Sequence, residues 1–249
     1  MSNIEAFTSF KRKDAFKIYN LKSTHLSLIN KTYTLIKKEA LMELRNKYAL
    51  AGLLLYVFST IFVLYLALSN QGAAKNIEVK YWNVLFWIVI LFASINTITK
   101  SFVHENSNRY LYYYSLISPV LIITSKLIYN VLLMLVISIL SVTLFAVVLG
   151  TPIKNFPLFF VVMLLGSIAF SFLFTLLSSI ASKAGNASLT AILGLPLMVI
   201  LIMYLMRLSR ECFFLEHSEN LWINLSILCL FNFVLFVLSL ILFPYLWRD

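Results

Sequence analysis

Leu127 to Ile153 reads LIYNVLLMLVISILSVTLFAVVLGTPI, 27 residues without one Lys, Arg, Asp or Glu. Crossing hydrocarbon about 30 Å thick at about 1.5 Å per residue takes roughly 20 apolar residues in a helix. This stretch can therefore span a bilayer once, and five others have the same character. They are Tyr48 to Ala74, Tyr81 to Thr99, Asn155 to Ser182, Ala184 to Met206 and Asn220 to Trp247, holding 27, 19, 28, 23 and 28 residues. All thirty ionic Lys, Arg, Asp and Glu side chains of the 249-residue chain lie outside these six windows.

A large soluble helical core would show one apolar stripe with charges opposite, whereas these windows are apolar on every side. A membrane β-barrel would show short segments of strict alternation, and these runs are continuous and too long for that. The fold class expected is all-α: a polytopic membrane protein with six transmembrane helices. The approximate spans are 48–69, 82–99, 120–149, 157–180, 187–206 and 221–246, within a membrane domain of residues 48–247. The composition, 61% hydrophobic and 15% aromatic, agrees with that class.

Orientation follows from the cations. With the N-terminus inside, the inner face receives ten Lys and Arg up to Lys47, then Lys100, Arg109, Lys126, Lys183 and Arg248, against Lys75, Lys80, Lys154, Arg207 and Arg210 outside. The fifteen-to-five split places both termini in the cytoplasm. The net charge of +10 is then a topology signal and a contact with anionic headgroups. It is not a nucleic-acid footprint, because no basic stripe alternates with exposed aromatics. Residues 1–30 carry Lys11, Arg12, Lys13 and Lys17 but no apolar core of a cleavable signal, and are expected to be a poorly ordered cytoplasmic tail.

From Thr32 to Tyr48, Tyr33, Ile36, Ala40, Leu41, Leu44 and Tyr48 recur at helical spacing. Between them lie Lys37, Lys38, Glu43, Arg45, Asn46 and Lys47. Residues 31–47 therefore read as an amphipathic helix on the membrane surface, with a solvated lead-in as the plainer alternative. The largest inner loop, Lys100 to Pro119, contains Ser101, Phe102, His104, Glu105, Arg109, Leu111, Tyr112 to Tyr114, Leu116 and Ser118, and Pro119 marks the start of the third span. A short helix there would display aromatics beside charges, as docking of a soluble partner requires, unless the tyrosines only anchor the loop at the interface. Ser167, Ser171, Thr175 and Ser179 recur every fourth residue and read as a small-residue row for helix packing. Gly194 and Pro196 interrupt the fifth span, where a bend or local unwinding is expected.

Chemistry of its own is missing. No phosphate-binding GxxxxGK stretch exists, so any ATP is hydrolysed by another chain. No ionisable side chain sits near the centre of a window, as ion-coupled carriers require. His25, His104 and His217 lie far apart in expected aqueous segments, without an HExxH or a Ser partner. Cys212 and Cys229 are separated in depth and make no metal motif. His217, between Glu216 and Glu219, has no tryptophan-rich surroundings to suggest a heme site. No catalytic, cofactor-binding or metal-ligating residue is assigned.

Several landmarks occur in a characteristic order: Leu91, Phe92 and Ala93; Ser101, Phe102 and Glu105; Ser118 and Pro119; Ser125, Lys126 and Asn130; and LIKKEALMELRNKY at Leu35 to Tyr48. In this order, and in its six-span layout, the sequence resembles the heme exporter protein B (CcmB) family from about Leu35 to the end. The resemblance implies an ABC-2 permease-like subunit, multi-pass in the bacterial inner (plasma) membrane. Its partners would be a cytoplasmic CcmA-like ATPase, CcmC-like and CcmD-like membrane proteins and the CcmE-like heme chaperone. ATP would act through the first and heme through the others, for c-type cytochrome biogenesis. Lys37, Arg45, Ser101, Phe102, Glu105, Arg109, Leu116, Ser118 and Pro119 are the candidates for coupling to the ATPase. Two rivals share the architecture: an ABC-2 exporter permease for a lipid, polysaccharide or drug, and a membrane assembly scaffold that transports nothing.

Overall fold

The computed structural model describes residues 30–41, 47–69, 78–98, 118–183, 188–214 and 220–248. Among them every regular element is helical. A helix α1 covers residues 30–41. It is followed by α2 (Lys47–Ser69), α3 (Val79–Ile98), α4 (Pro119–Leu149), α5 (Phe156–Lys183) and α6 (Ser188–Arg210). A 3-10 turn, Glu211–Phe213, then leads toward α7 (Leu221–Arg248).

Helices α3 to α7 are long and apolar enough to cross a membrane. The apolar part of α2, Ala51–Ala67, is shorter, 17 residues or about 25 Å, while the whole 23-residue helix reaches about 34 Å. The protein is therefore a polytopic helical membrane protein, with five full-length spans and one shorter apolar helix among the described residues.

Helix ends are set by local chemistry. Pro119 occupies the first turn of α4, where a missing N–H costs nothing, and the Ser118 carbonyl accepts from Leu121 N at 3.0 Å. Gly150 follows α4 with φ 79°, a left-handed geometry that suits glycine alone at low cost. Asn155 caps α5, its Oδ1 accepting from Leu158 N at 3.2 Å. The Cys212 carbonyl accepts from Lys154 N and Asn155 N, which ties the turn between α4 and α5 to the end of α6.

Helix α5 is the centre of the bundle and packs on α3, α4, α6 and α7, while α2 lies at the periphery against α3 and α4. Lipid is as apolar as leucine, so association here depends on close fit and on polar contacts rather than on escape from water. The composition of α5 suits that task, with Gly166, Ser167, Ala169, Ser171, Thr175 and Ala181 all buried. At Gly166 the fit is closest: a Cβ would lie 2.8 Å from the Trp87 ring of α3 and 3.2 Å from Leu205 of α6. The opposite surfaces are greasy, with Phe58 and Phe62 on α2, Val136 on α4, Ile200 on α6 and Trp222 and Phe233 on α7 exposed. Such surfaces suit acyl chains.

The two ends of the bundle differ. At one, where α3 begins and α4 finishes, Trp82, Phe86, Phe145, Phe159 and Phe213 form a fully interlocked aromatic cluster, with ring centroids 5.3 to 6.2 Å apart. At the other, where α4 begins and α5 finishes, Ile122, Ile123 and Leu127 of α4 meet Phe243 of α7. Helix α1 lies at this second end.

Candidate functional site

Residue Lys126 is the eighth of α4, about 10 Å along the helix from Pro119, and its side chain is 1% exposed. A cation so placed in a span is expensive without a partner. Its partner comes from α1: Glu39 Oε2 lies 3.4 Å from Lys126 Nζ, and the other carboxylate oxygen of Glu39 lies 3.3 Å from Lys38 Nζ. Glu39 is 12% exposed, so the pair is shielded from water and salt. Removing one member takes from the other its contact across the two helices in a site shielded from water.

The sequence counts Lys126 among the cations of the inner face and includes it in the approximate third span, 120–149; the structure likewise sets it inside α4, near its start. What the sequence does not show is its partner, a carboxylate 87 positions away. The sequence also grouped Tyr33, Ile36, Ala40 and Leu41 as one apolar face of α1. In fact Thr32, Leu35, Ile36, Lys38, Glu39 and Ala40 are the half-buried residues, and Tyr33 and Leu41 are 65% and 50% exposed. The ion pair turns the helix so that Glu39 faces α4.

From Lys126 a polar seam runs along the contact of α4 with α5. One turn on, Asn130 Nδ2 donates to Thr175 Oγ1 at 2.8 Å, and Thr175 in turn donates to the Ser171 carbonyl at 2.6 Å. Two turns farther, Ser138 and Ser167 share a hydrogen bond at 2.9 Å, with Ser167 also reaching the Met163 carbonyl. Ser179 closes on its own helix at the Leu176 carbonyl. All four members of the row Ser167, Ser171, Thr175 and Ser179 are thus buried, and two of them hold α4 by side-chain hydrogen bonds. Ser171 Oγ, and Ser141 Oγ on α4, are buried without a partner.

A second polar knot lies near the aromatic end. Asn83 Nδ2 donates to the Met206 carbonyl at 2.8 Å, and Trp87 Nε1 donates to Ser209 Oγ at 2.9 Å. Ser209 Oγ sits 2.7 Å from both Asn83 Oδ1 and the Leu205 carbonyl, and its single proton serves one of them at a time. Trp82 Nε1 donates to the Gly150 carbonyl at 3.0 Å. On α7, Asn232 Nδ2 donates to the Leu165 carbonyl at 3.1 Å. These knots fix α3, α6 and α7 around α5.

Of the residues selected from sequence, Lys37 is exposed on α1, Ser118 is exposed just before α4, and Pro119 opens α4. Arg45, Ser101, Phe102, Glu105, Arg109 and Leu116 lie outside the described residues, as do His25, His104 and His217. Gly194 is buried against Phe174 and Leu177 of α5, Pro196 is exposed, and α6 runs unbroken through both. Glu39, Asn83, Ser209 and Asn232 were missed as polar contacts. Asn83 and Asn232 were detectable as amides inside largely apolar windows, whereas nothing in the sequence ties Glu39 to Lys126. Both cysteines are free thiols, and no three His, Cys, Asp or Glu side chains gather among the described residues.

The arrangement is thus a short helix ion-paired to one span, with that span hydrogen-bonded to the central helix. In the comparison with known families, the family model described as CcmB protein matches residues 30–245. The chain belongs to the CcmB family. The match begins at the first residue of α1 and ends inside α7, so it takes in α1 to α6 and most of α7. Membership in CcmB marks the chain as a permease-type membrane subunit of a heme-exporter ABC system. No curated protein matches the chain.

Proposed function

We propose that this protein is the membrane subunit of an ABC-type complex for c-type cytochrome biogenesis. In that complex it couples ATP hydrolysis by a separate cytoplasmic subunit to heme delivery, or to release of the heme-loaded chaperone, on the far side of the membrane. The observation that carries the reading is the CcmB match over residues 30–245. The fold supports it by offering a bundle with a helix at one end that can receive a soluble partner.

In this reading α1 and the connection between α3 and α4 form the seat for the ATPase. Lys37, exposed on α1, and Arg45 supply cations from the first, and Ser101, Phe102, Glu105, Arg109 and Leu116 supply charge and bulk from the second. Ser118 and Pro119 deliver the second part directly into α4. Nucleotide-driven closure of the ATPase then moves α4, and α5 with it through their polar seam. Heme itself is held by the CcmC-like and CcmE-like partners, with CcmD-like protein completing the assembly in a bacterial inner membrane. Both termini face the ATPase.

Deletion of the gene, with heme staining of c-type cytochromes, tests the assignment. The expected result is loss of mature c-type cytochromes while export of lipid, polysaccharide and drugs is unchanged; normal cytochromes with one of those exports lost would favour a permease for another substrate. Glu105→Lys or Arg109→Glu is expected to lower ATPase co-purification, or its coupled activity, and to leave membrane insertion intact.

A further inference from the structure

Among the side chains described, Lys126 is the one charged group buried within a span, and no step of the proposed coupling uses it. Its ion pair joins α1 to α4, although α1 is covalently continuous with α2. The two halves of the seat are thereby brought to one helix. The connection after α3 runs into α4 at Pro119, and α1 is held to α4 at Lys126, two turns farther along. The next turn of α4 carries Asn130, bonded to Thr175 of the central helix.

We infer that the Glu39–Lys126 pair is a coupling clasp: two positioning residues that make α1 and α4 move as one body, so that a push at the surface helix reaches α5. The inference rests on the ATPase-coupled reading above. Charge is the property that matters, because Glu39 already has Lys38 at 3.3 Å within α1 and gains from Lys126 a contact across helices. An apolar contact of the same size would let α1 slide on α4. An ion pair in a shielded site holds direction as well as distance.

The test uses the full complex purified from membranes, with c-type cytochrome yield divided by ATP hydrolysed as the readout. A neutral double variant, Glu39→Gln with Lys126→Met, removes both charges and strands neither. It is expected to accumulate and keep its ATPase, yet to lose about tenfold or more in output per ATP, as coupling energies of this kind allow. The charge swap Glu39→Lys with Lys126→Glu, and Lys126→Arg alone, are expected to stay within about threefold of the parent protein. Normal output per ATP in the neutral variant would overturn the clasp, and so would a swap as poor as the neutral variant. A neutral variant that fails to accumulate would also overturn it, by showing the pair to be a folding pin. If the unaltered chain holds no ATPase, the coupled reading itself falls, an outcome separate from all of these.

Discussion

At Gly166 the hydrogen side chain lets the Trp87 ring of α3 and Leu205 of α6 both reach α5. Gly166→Ala would place a methyl group 2.8 Å from Trp87 Cη2, and a rigid indole surrounded by neighbours cannot yield. The expected cost is about 1–3 kcal/mol, read as a lower Tm of the detergent-solubilised protein. Gly194→Ala meets only Leu177 and Phe174 at 3.2 Å, on the face of α6 that also carries buried Thr190 and Met198; the Leu177 methyl can give by a few tenths of an ångström, and the gain in helix propensity of about 1 kcal/mol offsets the contact. Its Tm should be close to that of the parent. Hydroxyls divide in the same way. Ser209→Ala leaves Trp87 Nε1 and Asn83 Oδ1 short of a partner, at about 1–3 kcal/mol, whereas Ser141 Oγ has none to lose and Ser141→Ala should be neutral or slightly stabilising. A Tm ranking with Ser141→Ala below Ser209→Ala would contradict this assignment.

Between α4 and α5 the Asn130–Thr175 bond is the strongest candidate for a measurable helix-to-helix term. A double-mutant cycle with Asn130→Leu and Thr175→Val is expected to give a coupling energy of about 0.6 kcal/mol, and no more than about 1.7, as such bonds do in membranes. Unfolding by denaturant in mixed micelles reads it, and a value of zero would mean that the seam is packing alone. At this scale the limits of the sequence are plain. The spans were legible because lipid excludes charge, and the hydroxyl row of α5 was legible because period four marks one helical face. The partner of that row was not, since Asn130 and Ser138 are spaced eight apart on an apolar helix that also carries Ser141 and Thr143, and nothing marks the two as a pair. The rotation of α1 was hidden as well: it is decided by Glu39, which carries the wrong polarity for a buried face until Lys126 is placed beside it.

As a whole, the molecule is a bundle whose centre, α5, is joined to α4 by hydroxyls and an amide, and meets α3 and α4 in an aromatic cluster at the other end, where the Ser209 knot ties α3 to α6. In the proposed reading the α1 end is the one that receives the partner. Cysteines introduced at Lys37, Lys183 and Lys154 and labelled from either side of the membrane should place the first two together and the third opposite. Lys37 and Lys183 on different faces would break the six-span layout. The central claim is that this bundle serves an ATPase held at the α1 end. Its most direct test is purification of the tagged chain from gently solubilised membranes, with its companions identified. The account requires an ATPase subunit in fixed ratio, lost on reversal of Glu105 or Arg109; a chain that purifies at full yield with no ATPase would contradict it.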